Sequence, residues 1–110
     1  MAYDEELAYR IREHLKLWDL PVDERKMFGG VCFMHKNKMA IGVGREELMV
    51  RVVEEKMEGV LAEEHVRPMD FTGKPMKEFI FVHPDGAETE EQLGKWIEMG
   101  NEHAERKAGS

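Results

Sequence analysis

The stretch Lys26-Met27-Phe28-Gly29-Gly30-Val31-Cys32-Phe33-Met34-His35-Lys36-Asn37-Lys38-Met39-Ala40-Ile41-Gly42-Val43 decides the fold. It reads as an extended segment from Lys26 to His35, a short polar link, Lys36-Asn37-Lys38, and a return strand from Met39 to Val43. Asparagine tolerates the left-handed backbone of tight loops, so the link is expected to be a hairpin. Met39, Ile41 and Val43 then share a face. Glycine permits the backbone angles of a bulge, so Gly29-Gly30 is expected to bend the first segment midway. After the turn Gly44-Arg45-Glu46-Glu47, a third strand spans Leu48 to Val53, with Leu48, Val50 and Val52 inward and Arg51 outward.

Working outward, Leu7, Ile11, Leu15 and Trp18 recur at helical spacing and predict a helix from Asp4 to Asp19. Met57, Val60 and Leu61 predict a short second helix over 54–64. A fourth strand is expected over Val66 to Asp70, a loop over Phe71 to Pro75, and a fifth strand over Glu78 to His83. The unbroken apolar run Phe79-Ile80-Phe81-Val82 points to a central position for that strand. Thr89-Glu90-Glu91-Gln92 fits a capping box, so a third helix starts there, with Leu93, Trp96 and Ile97 on its apolar face. The polar segment after it, about 98–110, is expected to fray. The expected fold is α+β: a two-layer domain with a five-stranded antiparallel sheet, in the order α-β(3)-α-β(2)-α.

Composition bounds the class. The chain has 110 residues, 42% of them apolar and 35% charged, and a net charge of −7. That describes one soluble globular domain over residues 1–110. No run of about 18 apolar residues exists to span a membrane. The acidic opening Met1-Ala2-Tyr3-Asp4-Glu5-Glu6 is unlike a secretory signal. A single cysteine, Cys32, excludes an internal disulfide framework, and a cytoplasmic location is expected. The charge is unevenly spread: residues 25–53 carry a balance of +4, residues 54–64 carry −4, and residues 84–110 carry −4. An acidic chain repels a phosphate backbone at long range, so direct DNA binding is not expected, although a local basic face remains open to a small anion.

Catalytic chemistry finds little support. His14, His35, His65, His83 and His103 show no His-x-His or His-x-x-x-His spacing, and His14 reads as a packed histidine at the core edge. Cys32 reads as a small buried hydrophobe. Ser110 is the lone serine, and Gly42-Val43-Gly44 lacks the rest of a nucleotide-binding fingerprint. No catalytic residue, metal site or cofactor is expected, and the chain does not read as an enzyme. Nine methionines either fill the core or furnish an adaptable contact surface. Alternation sets Cys32, Met34, Met49 and Val53 opposite Val31, Phe33, Val50 and Val52. If all three helices cover the second set, the first is exposed and a homodimer is expected to bury it.

Three strings carry a family resemblance: Lys26-Met27-Phe28-Gly29-Gly30, Leu48-Met49-Val50-Arg51-Val52 and Arg67-Pro68-Met69-Asp70-Phe71-Thr72-Gly73-Lys74-Pro75-Met76-Lys77. They resemble the N-terminal domain of the TfoX/Sxy family, named for regulators of bacterial competence genes, and the likeness extends from about Ala2 to Ile97. It implies the α-β(3)-α-β(2)-α order already read. The regulators carry a further C-terminal helical domain; this chain stops at Ser110 and is expected to stand as the N-terminal domain alone. The family has no established active site, so the resemblance implies no catalytic residue. Lys26, Met27, Phe28, Gly29, Gly30, Pro68, Met69, Asp70, Phe71, Gly73, Pro75 and Met76 read as structural. Arg51, Arg67, Lys74 and Lys77 either form ion pairs with Asp70 or Glu78, or build a basic site for a carboxylate, a phosphate or an acidic segment. The resemblance implies a regulatory, protein-binding module whose partner belongs to the transcription machinery or its regulators. A small-anion-binding domain is the alternative.

Overall fold

In the computed structural model, which describes residues 4–27, 29–70 and 75–109, the chain runs α1 (Glu5–Leu17), β1 (Asp23–Met27), β2 (Gly30–His35), β3 (Lys38–Val43), β4 (Leu48–Arg51), α2 (Glu54–Leu61), β5 (Val66–Asp70), β6 (Pro75–Val82), a 3-10 turn (Pro84–Ala87) and α3 (Glu90–Ala108). Phe28, Phe71, Thr72, Gly73 and Lys74 lie outside the described residues, as do the side chains of Met69, Asp70, Pro75 and Met76. Asp4 caps α1 by accepting from the Glu6 and Leu7 backbone N–H groups. The capping box read at Thr89 and Gln92 is present, both of its hydrogen bonds measuring 3.0 Å.

The fold is α+β, with three helices and an antiparallel sheet, but the sheet has six strands in the order β1-β2-β3-β4-β6-β5. The expected order α-β(3)-α-β(2)-α therefore becomes α-β(4)-α-β(2)-α. The added strand comes from the segment expected to be one bulged strand. Met27 pairs with Gly30, and Gly29 takes φ +74 in the turn between them, so Gly29-Gly30 belongs to a hairpin rather than a bulge. Gly30 is held by contact: a Cβ there would stand 1.9 Å from the Val43 carbonyl oxygen. β1 itself, Asp-Glu-Arg-Lys-Met, was hidden because its middle three residues are exposed and show no apolar alternation. Charges on such an edge strand discourage pairing with another chain. The irregularity in β2 falls instead between Phe33 and Met34. Lys36 and Asn37, at φ 53 and 65, make the expected hairpin with a left-handed residue pair.

β6 lies between β4 and β5, the central place that its apolar run required. Pro68 sits on the opposite edge strand, β5, beside a register shift, where a missing N–H costs least. All three helices contribute to one core, in which Ile11 of α1, Val60 of α2, and Trp96 and Ile97 of α3 meet Val31, Phe33, Ile41, Val50 and Ile80. The other face of the sheet carries a second cluster of Cys32, Met34, Met39, Met49 and Phe79. Cys32, Met34 and Met49 thus lie opposite Val31, Phe33 and Val50, as expected, but Met39 joins them instead of sharing a face with Ile41 and Val43, because the β2–β3 register shifts between Phe33 and Met34. Met34 at 8% exposure and Met49 at 1% are shielded within one chain.

α3 continues to Ala108 instead of fraying beyond residue 98. Its polar second half is held because Gly100, His103 and Ala104 are buried and its charges meet opposite ones on other elements: Glu102 with Lys56 at 2.7 Å, Arg106 with Glu55, and Glu105 with Lys36 at 3.7 Å. Gly100 allows the helix to touch β3, since a Cβ there would lie 2.2 Å from the Ala40 carbonyl oxygen. In an open helix, replacing glycine by alanine stabilises by about 1 kcal/mol. Here Gly100→Ala is expected to destabilise by roughly 1–3 kcal/mol, the usual cost of overpacking, read as a lowered midpoint in urea unfolding.

Candidate functional site

β4 ends on Arg51, β6 carries Glu78 near its start, and α3 lays His103 between them. The His103 ring is 2% exposed, a buried polar group in an otherwise apolar interior. Its Nε2 lies 2.5 Å from Glu78 Oε2 and 3.3 Å from an Arg51 terminal nitrogen. One ring nitrogen cannot donate to the carboxylate and accept from the guanidinium at once. With Glu78 ionised, Nε2 carries the proton and donates to Glu78, and Arg51 acts on the pair by charge. His103 Nδ1 and Arg51 Nε are buried without a hydrogen-bond partner among the described residues. Burial holds the His103 pKa below its ordinary 6.5, despite the Glu78 hydrogen bond. The His103 hydrogen bond, followed by the charges of His103, Lys107 and Arg51, lowers that of Glu78. The Arg51 guanidinium stacks on Phe79, 4.2 Å from the ring centre. Beside this trio opens a cleft of about 190 Å³ lined by Val53, Glu54, Glu55, Arg106 and Lys107.

Arg67 takes a different partner. It forms a two-pronged pair with Glu47, at 3.0 and 2.5 Å, and stacks on Phe81 at 4.4 Å. Arg51 and Arg67 lie on strands flanking β6, and their stacking partners are two residues apart along it. Their nearest carboxylates nevertheless differ, Glu78 for Arg51 and Glu47 for Arg67. Lys77 is exposed at the start of β6, and Lys74 lies outside the described residues. Of the two ion-pair partners anticipated, Glu78 acts on Arg51 by charge while its hydrogen bond goes to His103, and Asp70 has no described side chain; the partner of Arg67, Glu47, was not anticipated. An open cleft of about 480 Å³ adjoins this pair, with Met49 and Phe81 at its floor and Gly29, Gly44, Arg45 and Glu47 around it.

Two earlier readings hold. His14 is packed at the core edge, meeting Trp18 edge-on at 5.4 Å and Glu90 at 2.7 Å. Cys32 is fully buried, and desolvation pushes its thiol pKa up to about 11, which suits a packed side chain and not a nucleophile. One grouping was missed: His65, His83 and Asp85 each offer a ligand atom within 4.8 Å of the others. The histidines are far apart in sequence, and only the β5–β6 register brings them together.

Compared with known proteins, the chain matches the family described as the TfoX N-terminal domain over residues 13–104. No curated protein and no solved structure matches it.

The titration of His103 and Glu78 has a definite sign. Above pH 6.5, where histidine is neutral in both states, burying His103 carries no protonation penalty. As pH falls below 6.5 the unfolded chain binds this proton first, so the native state loses stability. Glu78 adds a loss of the same sign once pH drops below the ordinary carboxylate value of 4.5. Urea midpoints measured from pH 8 to 3 are expected to fall in two stages. His103→Gln should flatten the upper one.

Proposed function

Because the chain belongs to the TfoX N-terminal domain family, we propose that it is a regulatory module that acts by binding a partner protein, one connected with transcription, as the competence regulators of its family name imply. The observation that carries this reading is the disposition of the candidate cations. A site for nucleic acid or a small anion needs cationic groups gathered and available. Arg51 stacks on Phe79 under the charge of Glu78, and Arg67 pairs with Glu47, at separate places on the sheet. Lys56, Lys95 and Arg106 are likewise matched to Glu102, Glu63 and Glu55. With a net charge of −7, the chain as a whole repels a phosphate backbone, so a protein surface is the better-matched partner.

Affinity capture from the native cell extract, read by mass spectrometry, is expected to retain a transcription-associated protein. Deleting the gene should change competence-gene transcripts. Recovery of no such protein, together with unchanged transcripts, would overturn the reading. Duplex DNA at low salt is expected to show no mobility shift, and calorimetry with inorganic phosphate no heat of binding. A shift that collapses steeply with added salt would instead point to direct DNA contact.

A further inference from the structure

His65 and His83 face each other at the end of the β5–β6 ladder. Val66 pairs with Val82, and the His83 N–H donates to the His65 carbonyl at 2.8 Å, carrying the antiparallel register one residue further. Directly opposed residues project to the same side of a sheet, and the two imidazoles lie 6.0 Å apart between centres, tilted by 31°. Asp85 joins them from the 3-10 turn. Its backbone N–H donates to His83 Nδ1 at 3.1 Å, and its Oδ2 lies 3.6 Å from the same nitrogen. Gly86 packs against the base of the first histidine, since a Cβ there would stand 3.0 Å from His65 Cβ. His65 itself is held at φ 73, a conformation few non-glycine residues adopt.

We propose that His65, His83 and Asp85 bind a divalent first-row transition-metal ion, with Zn²⁺ the best match. Two imidazole nitrogens and one carboxylate oxygen suit zinc, whereas Mg²⁺ and Ca²⁺ favour sets made of oxygen alone. Bonds of about 2.1 Å in a tetrahedron place ligand atoms about 3.4 Å apart. The separation of 3.6 Å between His83 and Asp85 is already near that, and the 4.8 Å limit across the trio closes by rotation of exposed side chains. Three protein donors leave a fourth position for water. The local charge is suitable: Glu64 lies 3.8 Å from His65 Nε2, and Arg67 in the adjoining cleft is neutralised by Glu47. Neutral His83 accepts at Nδ1 and so carries its proton on Nε2. Ligation replaces either that proton or the hydrogen bond from Asp85.

The test uses the purified full chain, titrated with Zn²⁺ by calorimetry and with Co²⁺ by visible absorption. One ion per chain is expected, with ligand-field bands for Co²⁺ and no displacement by Mg²⁺. His65→Asn keeps a residue that tolerates the left-handed backbone, His83→Asn keeps an acceptor for the turn, and Asp85→Asn keeps the shape. Each is expected to lower affinity by more than the roughly 10–100-fold that loss of an outer-shell partner costs. His35→Asn, remote from the trio, should leave affinity unchanged. Circular dichroism of each metal-free variant establishes that it is folded. Absence of stoichiometric binding by the unaltered chain overturns the proposal without reference to any variant. Binding that survives in any of the three folded variants, or that is lost equally in His35→Asn, overturns it as well.

Discussion

The backbone of α3 rests on the backbone of β3 where Gly100 meets Ala40, and much of the molecule's arrangement depends on that contact. A side chain of any size at position 100 would hold the helix off the sheet, because the space is already filled by the Ala40 carbonyl. With the helix seated, its earlier turns place Leu93, Trp96 and Ile97 in the core, and the Trp96 indole N–H reaches the Gly86 carbonyl at 3.0 Å. Its next turn delivers His103 to Arg51 and Glu78. The same seating brings Glu102, Glu105 and Arg106 against Lys56, Lys36 and Glu55, so a segment with little apolar content remains helical.

The sheet separates two apolar environments of different character. The helical side is built mainly from branched aliphatic and aromatic groups, while the opposite side uses methionine, cysteine and phenylalanine. Methionine adapts to irregular spaces, which fits a cluster that no helical residue joins among the described residues. Arg51 and Arg67 cover part of that face by stacking on Phe79 and Phe81, their stems and planar heads serving as packing while their charges go to carboxylates. Substituting either arginine by lysine would keep the charge and lose the stacked plane.

The chain belongs to the TfoX N-terminal domain family, and the described residues of the three strings that carry the resemblance have definite places in its fold. Arg51 and Arg67 stand in those strings, and both make contacts within the fold: Arg51 of β4 stacks on Phe79 of β6, and Arg67 ties β5 to the loop before β4. Gly30 serves the fold too, through its contact with Val43.

Much of this was legible locally. The hairpin at Lys36-Asn37, the capping box at Thr89, the two-faced alternation of Val31 to Met34 and the central place of β6 all follow from short-range chemistry: backbone angles, caps and side-chain period. Three features were not legible, for a common reason. β1 has no apolar pattern, since an edge strand is defined by its neighbour and not by its own burial. The end of α3 is polar, and its stability comes from charges on other elements and from the cavity that receives His103. His65, His83 and Asp85 share no spacing motif, because a pair of strands sets its distances by register across the ladder. The sequence by itself determined which segments form helices, hairpins and a two-sided sheet, because those depend on neighbours along the chain. Only the tertiary structure decided which charges are neutralised, which histidine is buried and which three ligands converge, because those depend on distances between residues that the chain keeps far apart.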